Sequence, residues 1–381
     1  MYKQIFALAL LPALVACGSS SDSNIDTTPT PEVPESAAYI TIDSTHNERV
    51  YLNMNSGSTF TESEKTGQEL WHLSYKRYSG FALNGGIAGD GEVAGCTAHH
   101  YPQLYDDNGQ PQPAEFETLN KDNTQTDFEA VTTESCDTLI TDSLTTIINM
   151  DDWLQAAYGP SGPSFAAKDD TSNGWIIRSG DADGNGQHHY ARVKVEEVGY
   201  DSGTTPTTRK LKLTRELWDS NSQSFGAQET SEWLDFSEQR VYWNMNTNSI
   251  VSSDQAWDLS IAVNGRSWDL QTNAGVSGPG NGGVGLVVLN GGEGSAWDVT
   301  NPGSPDQVYT LFTDAATGAL TDPGNFGPLE YNVTGTHDMT ANFTVYRIHD
   351  GLEDYRLQIL SNYGEDDDQA SGHIYLRYEK L

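Results

Sequence analysis

The chain has 381 residues, with 20 Lys and Arg against 54 Asp and Glu, a formal charge of −34. A field of that sign repels nucleic acid and anionic lipid, and no basic run offsets it, so neither is an expected partner. The 37 Gly, 18 Tyr and 9 Trp suit a β-rich fold with many turns, and past the first residues no apolar run is long enough for a membrane helix.

Residues 1–16 read as a signal peptide: Met1-Tyr2-Lys3 starts weakly positive, and the apolar stretch Ile5 to Val15 is too short to span a bilayer. Leu14-Val15-Ala16-Cys17-Gly18 resembles the bacterial lipobox, which requires a small residue directly before Cys. The resemblance implies that Cys17 is the lipidated first residue of the mature protein; the plainer alternative is an ordinary secretory signal with a chance cysteine. Gly18 is not an inner-membrane retention residue, so an outer-membrane lipoprotein is expected, on the periplasmic or cell-surface face, touching the membrane through its lipid alone. Residues 17–37 are Ser, Thr, Pro and Asp with few apolar side chains, a tether rather than a core.

Short β-branched or aromatic runs bounded by turn residues follow: Tyr39 to Ile42, Val50 to Leu52, Trp71 to Tyr75 and Trp175 to Arg178. Asn55-Ser56-Gly57 and Asn84-Gly85-Gly86 supply tight turns. Cys96 and Cys136 remain as a pair in an oxidising compartment, where a disulfide is the default. It would close a loop of about 40 residues, contributing on the order of 3–4 kcal/mol through the unfolded state. Asp142 to Met150 and Asp151 to Tyr158 read as the only helical stretches, one or two turns each, with Asp151 an N-cap before Trp153. Later strands are expected at Gly285 to Leu289, Phe343 to Tyr346 and His373 to Leu376.

The chain also repeats itself. Arg49-Val-Tyr-Leu-Asn-Met-Asn55 recurs as Arg240-Val-Tyr-Trp-Asn-Met-Asn246, with one substitution in seven positions. A Trp-centred strand follows in each, Glu69 to Ser74 and Gln255 to Ser260, then a turn at Asn84-Gly85-Gly86 and at Asn273-Ala274-Gly275. Arg192 to Val195 corresponds to Arg356 to Ile359. Two tandem, mostly β domains are therefore expected, 38–237 and 238–381, the first carrying an insertion at about 87–163 that holds both cysteines.

Tyr51-Leu-Asn-Met-Asn-Ser-Gly57, Trp71-His-Leu-Ser-Tyr75 and Phe81-Ala-Leu-Asn-Gly-Gly86 resemble the HmuY family of bacterial haem-binding lipoproteins. Tyr242 to Asn246, Trp257 to Ser260 and the ending Arg356 to Glu379 repeat the resemblance, which covers both frames but not the insertion. It implies an all-β fold that captures haem in an apolar cleft through axial side chains and passes it to a TonB-dependent outer-membrane receptor. The resemblance fixes no ligands, so these are read from the residues.

Haem iron takes His or Met axially. His337 and Met339, in the polar turn Gly335 to Thr340 ahead of the strand at Phe343, form the most ligand-like spot; the aligned stretch Ala166 to Thr171 of the first copy has neither residue. There His99 or His100 is preferred to His188 or His189, since neighbours on a strand face opposite ways and one of each pair at most can face a cleft. His349 is a weaker candidate. His72, opposite Asp258 in the other copy, is expected to face solvent, and Met54 and Met245 are expected in the core. Asp181, Asp183 and Asn185 resemble the front of a calcium loop, but Arg192 stands where a bidentate Glu belongs, so a hairpin turn competes with a weak calcium site. Gly278, Gly280 and Gly283 match GxGxxG but precede a strand, which argues against phosphate binding. No catalytic constellation emerges, so the chain is not expected to be an enzyme. The leading expectation is haem capture; the alternative is a surface module for calcium-stabilised glycan or peptide recognition on the same frame.

Overall fold

The computed structural model describes residues 37–46, 48–67, 69–160, 162–289 and 292–381, and it is mostly antiparallel β with three short α-helices. Each repeated heptapeptide supplies the same strand of a four-stranded sheet. Val50–Asn53 lies between Ser58–Thr61 and Leu73–Lys76, with Gly80–Leu83 outermost. Val241–Asn244 lies between Ser249–Val251 and Leu259–Asn264, with Ser267–Thr272 outermost. Asn53 and Asn244 explain the turn after each strand. Their Oδ1 atoms accept from the N–H groups of Asn55 and Asn246, both at 2.9 Å, which folds the backbone back on itself. Met54 and Met245 are buried, as a core role requires.

Each small sheet needs cover for its apolar face, and a second, larger sheet provides it. In one, the order is Ala38–Asp43, His373–Lys380, Asp354–Ser361, Val345–His349, Ala94–His99. The same order recurs within a nine-stranded sheet as Leu234–Asp235, Thr208–Asp219, Tyr190–Asp201, Trp175–Arg178, Gly283–Leu289. The covers are exchanged. Leu52, Leu73 and Leu83 of the first copy pack with Ile348, Leu357 and Leu376 of the second. Trp243, Leu259 and Leu270 of the second copy pack with Ile177, Val193 and Leu213 of the first. Each core thus draws its small sheet from one copy and its long hairpin from the other, and all described residues fall in one compact unit.

The chain crosses between cores at two equivalent places. Ser143–Thr145 pairs antiparallel with Ala315–Thr317, Leu144 opposite Ala316, and the hydroxyls of Thr145 and Thr317 bond across the pair. This crossing displaces the helices expected from 142 to 158. Only Met150–Trp153 is helical there, capped by Asn149, whose Oδ1 accepts from Asp151 N–H at 3.0 Å. Residues Leu154–Gly159 form a strand instead. The stretch expected to be private to the first copy is partly shared, because Ala94–His99 occupies the sheet position of Gly283–Leu289. The Cys96–Cys136 disulfide ties that strand to the longer segment after it. Among the described residues no helix is long and apolar enough to cross a membrane.

The exchange makes a direct prediction. Glu238 and Gln239 are exposed between the copies. A protease site inserted there and cut should leave two fragments that co-elute in native gel filtration and part only in denaturant. Fragments that separate natively would contradict exchanged cores.

Candidate functional site

The two copies agree down to their loops. Asn84 Nδ2 donates to the Trp71 carbonyl at 3.0 Å and its Oδ1 accepts from Gly91 N–H at 3.2 Å. Asn273 does the same with Trp257 at 2.9 Å and Gly280 at 3.0 Å. Gly86 and Gly275 have φ of +63° and +66°, and a Cβ on either would sit 2.0 Å from the carbonyl oxygen of Asp142 or Asp314, so only glycine fits. Asp142 Oδ2 accepts from Leu83 N–H at 2.7 Å; Asp314 accepts from Thr272 N–H and Ile147 N–H, both at 2.9 Å. Burial, the largest cause, raises both carboxyls to a pKa of about 6.

The exchange brings the second copy's loop Gly275 to Asn281 against the first copy's small sheet, and a cleft of about 800 Å³ lies between them. Its lining includes Arg49, Tyr51, Ser74, Lys76, Arg178 and His188. That size is in the usual range for a small-molecule site. Tyr51, Ala82, Val276 and Pro279 add apolar surface, and the charged residues of the lining are Arg49, Lys65, Lys76 and Arg178 with Glu48 and Glu62. Arg49 is only 8% exposed, and its Nη1 donates to Ser74 Oγ at 3.0 Å. Arg178 Nε donates to the Asn281 carbonyl at 3.0 Å. The Lys76 ammonium makes no hydrogen bond or ion pair with any described residue, although its carbonyl accepts from Ser79 N–H at 3.0 Å. Burial first, then the fields of Arg49 and Arg178, push its pKa below the ordinary lysine value. Two carboxylates share the lining: Glu62 accepts from the Tyr51 hydroxyl and lies 3.9 Å from Lys65, Glu48 accepts from Ser63 N–H at 2.6 Å, and the fields of both reach Lys76 while that of Glu62 also reaches Arg49.

Two histidines, His46 and His188, line the cleft, and His188 has one ring nitrogen fixed by the backbone. Its Nδ1 is 2.8 Å from the Ser179 carbonyl oxygen, which can only accept, so Nδ1 carries a proton and Nε2 is the nitrogen that the neutral ring would offer to a metal.

The residues singled out from sequence do not converge on this cleft. His337 sits exposed at φ +62°, its N–H donating to Asn332 Oδ1 at 2.9 Å and its Nδ1 3.0 Å from the Tyr331 hydroxyl. Met339 packs against the first core, and its N–H donates to the Tyr363 hydroxyl at 2.9 Å. His99 stands edge-on to Tyr101 with Nε2 3.7 Å from Asp127, and His100 is exposed. Asp183 Oδ1 accepts from Asn185 N–H at 2.8 Å and Gln187 N–H at 3.0 Å, the arrangement of a hairpin turn; Asp181 and Asn185 are exposed. Among the described residues no three His, Cys, Asp or Glu side chains gather as a metal site. Cys17 lies outside the described residues.

One expectation is overturned. His72 does not face solvent: it is 3% exposed, its Nδ1 accepts from Met54 N–H at 3.2 Å, and its Nε2 is 3.1 Å from Asp350 of the other copy. Burial lowers its pKa, against the pull of Asp350. Asp258 does the equivalent work, accepting from Met245 N–H at 2.7 Å and from Gly180 N–H of the first copy at 2.9 Å. Both positions link a small sheet to its exchanged cover, which requires burial. Sequence reasoning also missed Arg49, Lys76 and Arg178 as a group. A position-by-position comparison of the copies would have flagged Lys76, which stands where the second copy has Ala262. Set against known proteins, the chain matches no family model and no curated sequence.

The buried carboxyls set a pH dependence. With its folded pKa near 6 and an unfolded value of 3.8, Asp314 binds more proton when folded. Its contribution to stability is therefore full below pH 3.8 and is lost as pH rises through 6. Asp314→Asn removes this dependence, so its stability relative to the native chain should improve from pH 4 to 7.5 by at most on the order of 3 kcal/mol. Urea melts at the two pH values read the change, which is insensitive to the constant cost of losing one acceptor. A difference that stays flat across that range would contradict the assignment.

Proposed function

We propose that the protein is a non-catalytic haem carrier, tethered through Cys17 to the outer membrane, that takes haem into the cleft between its copies and yields it to a TonB-dependent receptor. The observation that carries this reading is a cleft with more cations than carboxylates in its lining, in a chain of formal charge −34, that contains a histidine whose Nε2 the neutral ring would offer to a metal. Haem presents matching groups: an iron that accepts imidazole and two propionates that pair with Arg and Lys. His188 then replaces His337, Met339, His99 and His100 as the axial candidate, and Arg49, Lys76 and Arg178 receive the propionates. The resemblance of both strand frames to the HmuY family is the second support. A carrier needs reversible ligation and partial burial of the porphyrin, and a cleft open to solvent suits release.

A second reading has its own observation. Beyond Lys76, Arg178 and Asn281 the cleft continues into a hollow of about 270 Å³ lined by Tyr78, Tyr190 and Tyr309. Tyrosine faces beside cations suit an acidic sugar chain, which would make the protein a surface glycan-recognition module.

A visible-absorbance titration of the soluble chain, starting after Cys17, separates the two. The haem reading predicts a saturable, sharp Soret band with ferric and ferrous haem, lost in His188→Ala and kept in His337→Ala, Met339→Ala and the His99→Ala/His100→Ala double variant. A broad band like that of free haem would reject it and favour the second reading, for which oligogalacturonate is the probe. A sharp band retained in His188→Ala would move the iron elsewhere.

A further inference from the structure

The duplicated frame gives the cleft an internal control. Ser74 faces Ala82 across the first small sheet, and Ser260 faces Gln271 across the second. Arg49 and Arg240 both donate to these serines, at 3.0 and 3.1 Å, but Arg240 also donates to Gln271 Oε1, whereas the residue opposite Ser74 is Ala82, which has no side-chain acceptor. Two pairs further along, on the same face, Lys76 faces Gly80 where Ala262 faces Asp269. On the covers, Arg178 faces Tyr190, whereas its equivalent His349 faces Asp354 and lies 3.3 Å from that carboxylate. In the second copy, then, Gln271, Asp269 and Asp354 supply acceptors. In the first, Ala82, Gly80 and Tyr190 supply none, and Lys76 adds a charge.

Glu48 and Glu62 offset these cations through their fields, but among the described residues no carboxylate forms an ion pair with Arg49, Lys76 or Arg178, and cations so placed favour an anion that contacts them directly. We infer that a polyanion with at least two oxyanion groups binds in the first copy's cleft, one group on Arg49 and another on Lys76 and Arg178, and that the second copy's counterpart is closed by its own side chains. Binding is therefore one per chain. Ala82 is the position that sets this, since a glutamine there would occupy the guanidinium as Gln271 does in the other copy. This rests on the cleft being the binding seat, but not on haem being the ligand.

The test is calorimetric titration of the full chain carrying Cys17→Ala, at fixed ionic strength in chloride, with citrate and with pyrophosphate as probes. The native side chains should give one saturable site per chain for at least one probe. Citrate alone would identify a carboxylate ligand, and pyrophosphate alone a phosphate. Ala82→Gln and Lys76→Ala should each weaken binding by about tenfold or more, the loss of one charged contact. Gln271→Ala should leave it unchanged. Lys76→Ala decides the matter if Ala82→Gln fails to fold, because alanine already stands at the equivalent position of the second copy. Absence of saturable binding to either probe, or binding undiminished in both variants, would overturn the inference. Citrate or pyrophosphate binding without a Soret band for haem would keep this inference and end the haem reading.

Discussion

Two short strands, Ser143–Thr145 and Ala315–Thr317, run antiparallel to each other, and at this pair the chain trades halves. The residue just before each strand, Asp142 or Asp314, accepts from the last strand of its own copy's small sheet, so the crossing points are pinned to the sheets they leave. A small sheet whose apolar face is made of Leu52, Leu73 and Leu83 cannot stand alone in water. Once the crossing is fixed, its cover must come from the other copy. Ala38–Asp43 then adds to His373–Lys380, joining the beginning of the described chain to its end. The links His72 to Asp350 and Asp258 to Gly180 bolt each sheet to its exchanged cover. Much of the stability thus resides in contacts between distant parts of the sequence, which implies slow folding relative to a protein built of local hairpins.

The same exchange creates the cleft. It carries the loop Gly275 to Asn281 of one copy over the small sheet of the other, and it brings Arg178 beside Lys76 although the two are far apart in sequence. Near-symmetry produces two such places, and substitution has treated them differently. One has Gln271 and Asp354 beside its arginine and histidine; the other has Ala82 and Tyr190 at those positions and a lysine besides. Duplication commonly leaves one copy free to diverge, and here the divergence falls on the face that an incoming ligand would touch. In a strongly acidic protein a local positive field also draws an anion inward over a short range, screened beyond about 8–10 Å at physiological salt.

Much of the frame was legible in the sequence. The heptapeptide at Arg49 and Arg240 announces the repeat, the Asn-Gly turns mark the hairpins, and two cysteines left after Cys17 predict the disulfide that forms. The exchange was not legible, because the two copies have equivalent apolar patterns and either long hairpin could cover either small sheet. One or two helical turns were expected at 142–150 and 151–158, with Asp151 as N-cap, but cross-copy strand pairing takes up 143–145 and only Met150–Trp153 is helical, capped by Asn149. His72 was misjudged because the residue type at a position says little about burial when a buried partner, Asp350, comes from the far end of the chain. The cleft was hidden for a related reason: Arg49, Lys76 and Arg178 form no run or spacing, and only the fold assembles them. His337 and Met339 have the spacing of ligands but line neither the cleft nor the hollow beside it.

The most direct measurement is a crystal structure of the full chain, with Cys17→Ala, grown or soaked in selenate and recorded at the selenium absorption edge. The account predicts an anomalous peak within hydrogen-bond distance of Arg49 and Lys76 or of Lys76 and Arg178, with none at Arg240. A peak at Arg240, or a vacant first-copy cleft beside occupied sites elsewhere on the surface, would contradict it.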